Sequence, residues 1–165
     1  MNDAELAAYH EAGHAVISLT LGIPFKSVMI FPSEDDYSRC WSGYLAPIRG
    51  HRSRRDDIQI VDYAGFLAEG RACGCRYGFW SGIDDINHAE KMYRKMIPKG
   101  AAAFFSKEQI EKADEAHWIW VEKITKRMVK EHWNEIHAVA EALLNKDLLT
   151  MTGVEEIIQA ARRPA

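Results

Sequence analysis

The first stretch of the chain has apolar and small residues at positions that favour a helix. Alanine, leucine and valine dominate the run from Ala4 to Leu21. Asn2 or Asp3 can cap its N-terminus, and Gly22 with Pro24 beyond it provides a regular stop signal. The pattern therefore predicts a helix from about Ala4 to Leu21.

Two short apolar runs after this helix predict strands. The first run is Ser27–Phe31, which Pro32 closes, and the second is Trp41–Ala46. The polar segment 33–38 would join them as a loop. We expect a small hairpin beside the first helix.

The middle of the chain predicts two further helices. Ser53-Arg54-Arg55-Asp56 has the form of a capping box, and the helix after it would end among Gly70, Gly74 and Gly78. A later helix would begin near Asp84 and break at Pro98-Lys99-Gly100. The first of these two helices has small or apolar residues at Ile58, Val61, Ala64, Gly65, Ala68 and Ala72, which would allow close packing.

The last third of the chain has a helical pattern almost throughout. Ser106 and Gln109 form a second capping box, and the pattern continues to about Leu144 as one bent helix or two. Thr152 would cap a last short helix that ends at Ala161. Aromatic residues at helical spacing usually pack, so Trp118, Trp120 and Trp133 are expected in the core or in an interface.

Length and composition indicate one ordinary globular domain over residues 1–165. The chain is 47% hydrophobic and 27% charged, with a formal net charge of −3. This balance gives no support for nucleic acid or an anionic membrane as a partner. The predicted fold class is mainly α (α+β), with a small sheet beside the first helix.

Two further features concern location. The longest apolar run, Ala15–Phe25, is too short to cross a membrane, which takes about 20 apolar residues. The three cysteines, Cys40, Cys73 and Cys75, form no C-x-x-C pattern. Free thiols in a reducing, cytoplasmic setting fit best.

The basic cluster 49–55 is interpreted as a solvated loop that leads into a helix.

The first predicted helix carries the motif His10-Glu11-Ala12-Gly13-His14. Residues four apart lie on one face of a helix, so His10 and His14 can direct two imidazoles at one point. Imidazole nitrogen is a common zinc ligand, and Glu11 would lie beside the metal as a base. The small Gly13 could let another backbone or a substrate approach closely. The alternative is an amphipathic helix with two incidental histidines.

A catalytic zinc needs a third protein ligand. No histidine or glutamate follows shortly after His14, since the sequence there runs from Ala15 to Gly22. From the residues alone, the candidates are Glu69 and the acidic and histidine side chains of segment 81–89.

Four segments of the chain, in this order, resemble the peptidase domain of the FtsH-type ATP-dependent zinc metalloproteases. Ala8–Val16 is similar to that family's AYHEAGHA(V/L) segment and Ala64–Glu69 to its AGRxAE segment. Ser81–Ala89 resembles TGASNDLxxA, and Ala142–Leu149 resembles ALLEKETL. The resemblance covers nearly the whole chain.

The resemblance implies a site. His10, His14 and Asp85 would ligate zinc and Glu11 would be the catalytic base. Glu69 matches a family glutamate close to the metal, where a carboxylate can orient a ligating imidazole by accepting its other N–H. A local alternative pairs Asp84 with His88, although a solvated or core histidine is the favoured interpretation of His88.

The expected activity is zinc-dependent hydrolysis of peptide bonds in unstructured or partner-unfolded polypeptides. No phosphate-binding loop is encoded, so a separate ATPase or a homo-oligomer is a possible partner. The chain would be a stand-alone relative or an excised domain, and its initiator methionine favours the former. An edge strand beside the metal could pair with extended substrate, or the hairpin could be purely structural.

Two other functions stay open. A non-enzymatic metal-binding interaction module is the runner-up, because Phe66, Asp84 and Ser33-Glu34 depart from the family pattern. The third possibility is a metal-dependent hydrolase of a non-peptide amide.

Overall fold

The structure is a computed structural model that describes residues 1–32, 41–48, 53–75 and 83–163. These residues form a mainly helical fold with one small antiparallel sheet, which confirms the predicted fold class. Within the described ranges, no helix has the length and apolarity that a membrane span requires. In chain order the elements are α1 (Asp3–Thr20), β1 (Phe25–Pro32), β2 (Trp41–Pro47), α2 (Arg55–Cys73), α3 (Ile83–Arg94), α4 (Lys107–Glu131), α5 (Trp133–Lys146), β3 (Leu148–Thr150) and α6 (Met151–Ala161).

Helix α1 matches its predicted bounds to within one residue and lies at the centre of the fold. Asn2 is the N-cap and forms a reciprocal capping box with Glu5. Helices α2 and α5 and the sheet pack around α1. Its small residues Ala8, Ala12 and Ala15 are fully buried.

The contact between α1 and α2 depends on Gly13. A Cβ atom added to Gly13 would lie 2.7 Å from the carbonyl oxygen of Ala64 and 2.8 Å from the Cβ of Ala68. Any larger residue would push the helices apart, which confirms the predicted close approach of a second backbone. The predicted cap of α2 is wrong: Arg54 is the N-cap, without a side-chain cap bond, and Ser53 lies outside the helix.

The sheet has the strand order β2-β1-β3, and both pairings are antiparallel. Strands β1 and β2 contain the two predicted runs, whereas β3 was not predicted. The short β3 pairs Leu149 with Val28 in the core. Its last residue, Thr150, caps α6 by accepting the Gly153 N–H at 3.2 Å. The prediction that Thr152 caps this helix was therefore wrong.

Helix α4 begins at the predicted Ser106 capping box, and His132 separates it from α5, so the long pattern forms two helices. The buried positions of α4 are Val121, Thr125 and Val129. Trp120 is 42% exposed, so it is not a core residue, while its expected place in an interface stays a prediction. Trp120 is exposed because the buried stripe of α4 begins at Val121, one residue further along the helix.

Candidate metal centre

Helix α1 brings the two motif histidines into contact. His10 and His14 are both buried, and their Nε2 atoms lie 2.9 Å apart. Their rings meet edge to face, with centroids separated by 4.6 Å. The spacing of four residues thus places two imidazole nitrogens at one point, as the motif predicts.

Each imidazole is oriented by an acceptor at its other nitrogen. His14 Nδ1 lies 2.7 Å from the carbonyl oxygen of Val61, and His10 Nδ1 lies 3.2 Å from Glu69 Oε2. A carbonyl and a carboxylate oxygen can only accept, so both Nδ1 atoms donate. In their neutral forms both imidazoles therefore direct an Nε2 lone pair into the same space, where a metal ligand needs it.

Asp85, in the first turn of α3, completes this cluster. Its Oδ2 lies 2.9 Å from His10 Nε2 and 3.3 Å from His14 Nε2. Three groups that can ligate a metal therefore meet, although Asp85 is 75 positions beyond His10 in sequence. Acceptor atoms so close together repel one another unless a proton or a metal cation lies between them.

The pKa directions agree with this description. Burial opposes a charge on His10, but hydrogen bonds with Asp85 and Glu69 outweigh burial and raise its pKa to about 10. Burial alone would raise the pKa of Asp85, yet its hydrogen bonds with His10 and His14 hold that pKa well below its usual range. The raised pKa of His10 favours a proton at this point of the cluster.

Glu11 lies beside the cluster and is buried. Among the described residues, its Oε2 has no hydrogen-bond partner. Burial raises the pKa of Glu11, although the neighbouring His14 and His10 oppose that rise. A buried carboxylate oxygen without a partner is costly, and such atoms are often found at functional sites.

One face of α2 supports the whole cluster. Val61, Gly65 and Glu69 follow one another at intervals of four residues, so they share that face. A Cβ atom added to Gly65 would lie 2.8 Å from His10 Nε2 and still closer to His14 Nε2. Gly65 therefore leaves open the space into which both imidazoles point.

The donor set fits zinc. Two imidazoles and one carboxylate are a ligand set of catalytic zinc sites, which keep a further position open. Gly65 places no side chain against the two Nε2 atoms, and Glu11 Oε2 has no partner among the described residues. Both observations agree with a group bound there. His10, His14 and Asp85 are thus together as predicted, and Glu69 contacts His10 as the resemblance implied.

The structure does not pair Asp84 with His88, the local alternative from the sequence. Asp84 is exposed, and His88 contacts Asp62 of α2 at 2.9 Å instead of Asp84. The orienting carbonyl of Val61 was not predicted, because a backbone acceptor has no signature in the side chains. Cys73 and Cys75 are free thiols, while Cys40 and Ser33-Glu34 lie outside the described residues.

Comparison with known proteins does not assign the chain. A scan against models of protein families and a search of curated proteins both found no match. Membership of the FtsH-type family therefore stays a prediction based on the motifs quoted above.

Proposed function

We propose that this chain is a zinc metallopeptidase that hydrolyses peptide bonds in unstructured polypeptides. The observation that carries the proposal is the meeting of His10 Nε2, His14 Nε2 and Asp85 Oδ2 directly beside the buried Glu11. A metal-binding site alone would not require a buried carboxylate without a partner at its side.

His10, His14 and Asp85 would hold the ion. A bound zinc supplies a Lewis acid that polarises a carbonyl and lowers the pKa of a coordinated water to about 7. Val61 and Glu69 keep both imidazoles in the orientation that ligation needs, because each accepts an Nδ1–H.

Glu11 is the proposed catalytic base. Its free Oε2 can accept a proton from the attacking water and then deliver that proton to the leaving amine. A raised pKa suits this role, since a carboxyl with a pKa nearer the working pH both accepts and returns a proton readily.

Strand β2 is the proposed docking edge for substrate. Among the described residues its only strand neighbour is β1, so its other edge can pair with an extended peptide. Gly43 of this strand lies against Glu11, so β2 passes directly beside the proposed base. Folded proteins already pair their backbones internally, so substrates would be loose segments or chains unfolded by a separate ATPase or within a homo-oligomer.

The test combines metal analysis with a casein digest. Purified protein should contain about one zinc per chain, and His10→Ala and His14→Ala should each remove it. His132→Ala is a matched control, because His132 contacts Glu135 and not the cluster. Casein should be cut by the zinc-loaded protein and left intact after chelation.

Three outcomes separate the alternatives. Zinc binding with zinc-dependent cleavage supports the proposal. Full zinc occupancy without cleavage of casein or of peptides favours the interaction module, and cleavage restricted to small amides favours the non-peptide hydrolase. Retention of full zinc by both histidine variants would exclude this metal site.

A further inference from the structure

A second histidine–carboxylate contact joins the helices next to the candidate metal centre. His88 of α3 lies with its Nδ1 2.9 Å from Asp62 Oδ2 of α2. The Asp62 side chain is 12% exposed and that of His88 is 49% exposed. Since the carboxylate accepts, His88 Nδ1 donates, and the bond fixes the ring against α2.

This contact and the position of Asp85 both depend on how α3 is rotated about its axis. His88 follows Asp85 by three residues, so the two side chains lie on nearly the same face, about one turn apart. A rotation of α3 that withdraws Asp85 from His10 would also withdraw His88 from Asp62. A separate contact holds the residue just after α3, because Arg55 Nη1 of α2 donates to the carbonyl oxygen of Lys95.

Asp62 is also the residue after Val61, whose carbonyl orients His14. One turn of α2 therefore contacts both a ligating histidine and the helix that supplies the third ligand. We propose that Asp62 and His88 are a positioning pair, which holds α3 in the rotation that brings Asp85 to His10 and His14. This inference rests on the proposed zinc site and adds to it two residues that have no role in the motifs.

The test measures zinc affinity, by competition with a chromophoric chelator, in five variants of the full chain. Asp62→Ala removes the acceptor of the bond. His88→Gln removes the donor, because a glutamine amide nitrogen takes the place of Nε2 and not of Nδ1. Both should weaken zinc binding by about 10–100-fold, the usual effect of losing a group that orients a ligand. His88→Asn places an N–H donor near the position of Nδ1 and should recover most of the affinity.

The double variant and a control complete the set. If the residues act through their mutual bond, Asp62→Ala combined with His88→Gln should be little worse than either change alone. Glu90→Gln is the matched control on α3, because Glu90 pairs with Arg94 of the same helix and is exposed. It should change zinc affinity less than about 2-fold.

The outcomes are distinct. Three results would overturn the positioning role while leaving the zinc site in place. They are wild-type zinc affinity in both Asp62→Ala and His88→Gln, an equal loss in His88→Asn and His88→Gln, and fully additive losses in the double variant. Absence of zinc binding in the wild-type chain would instead overturn the proposed function, and the pair's role with it. If Asp62→Ala fails to fold, the comparison of His88→Asn with His88→Gln, at a half-exposed position, decides the question.

Discussion

Gly43 of strand β2 lies directly against the Glu11 side chain of helix α1. A Cβ atom added to Gly43 would come within 2.6 Å of Glu11 Oε1. The strand that we propose as the substrate edge thus contacts the proposed base without an intervening side chain. This contact makes the position of the Glu11 carboxylate sensitive to a single methyl group.

Glu11→Gln should separate catalysis from metal binding. The change keeps the size of the side chain and removes the proton acceptor, while His10, His14 and Asp85 stay intact. We expect zinc content close to that of the wild type and a loss of peptidase activity of about 10²–10⁴-fold, the usual contribution of a general base. Zinc analysis and a peptide assay on the same preparation provide the check, and undiminished hydrolysis would eliminate Glu11 as the base.

Gly43→Ala should displace the base without altering the ligands. The added methyl group must push Glu11 aside, and a shift of about 1 Å in a catalytic group can lower the rate about 10²-fold. Zinc affinity should stay within about 2-fold of the wild type, since the three atoms nearest to the added methyl group all belong to Glu11 and none to a proposed ligand. Gly153→Ala is a suitable control, because a Cβ there meets only an ordinary contact at 3.5 Å. Full activity in Gly43→Ala would show that Glu11 can move freely.

Replacement of Asp85 should weaken zinc binding more than replacement of Glu69 does. Asp85 contacts both histidines at Nε2, whereas Glu69 contacts His10 at Nδ1, the nitrogen on the other side of the ring. Asp85→Ala should abolish tight zinc binding, and Glu69→Ala should weaken it by about 10–100-fold. Titration of the metal-free proteins with zinc measures both, with the exposed neighbour Asp84→Ala as a control. The opposite order would transfer the ligand role to Glu69.

Zinc affinity should rise with pH. Burial opposes a charge on His10, but the hydrogen bonds with Asp85 and Glu69 raise its pKa to about 10. We therefore expect the metal-free site to hold a proton at neutral pH, and zinc must displace that proton. Raising the pH removes this competitor, and the association constant should increase up to about tenfold per pH unit between about pH 6.5 and 8.5. Calorimetry in buffers of different ionisation enthalpy should detect about one released proton per zinc. An affinity that stays constant across this range would contradict the protonated site.

Cleavage should not require ATP. The given sequence contains no G-x-x-x-x-G-K-[ST] phosphate-binding loop, so we expect no coupling of nucleotide hydrolysis to unfolding by this chain. We expect the pure protein to cut casein and to leave a tightly folded protein intact, because an extended segment must reach the site. A side-by-side digest with and without ATP tests this. Loss of the folded substrate that depends on ATP would contradict the prediction.

The helical part of the site was predictable because its signal is local. His10 and His14 are four residues apart, and any α-helix places such residues on one face. The bounds of α1 followed from Asn2 and Gly22 for the same reason. Glu69 and segment 81–89 were candidates from the residues alone, but the choice of Asp85 as the ligand required the resemblance. Nothing in the spacing from His10 shows how α2 and α3 pack beside it.

Contacts through the backbone or between distant helices were not predictable. The Val61 carbonyl that orients His14 has no side-chain signature, and the bond of His88 to Asp62 depends on how α3 packs on α2. Strand β3 was missed because three residues between two helices give too short a pattern to show an alternation. The exposure of Trp120 was not predictable, because aromatic spacing alone does not determine which side of a helix faces the core.

The central strand of the sheet has neighbours from very different parts of the chain. Strand β2 is the next element after β1, whereas β3 comes from residues 148–150. As the protein is synthesised, all the groups of the metal cluster leave the ribosome well before β3 does, and segments fold as they emerge. A nascent chain therefore exposes its candidate metal ligands while the sheet that contains Gly43 still lacks its third strand. The finished arrangement of the candidate ligands, base and sheet is therefore reached only after residues 148–150 have been synthesised.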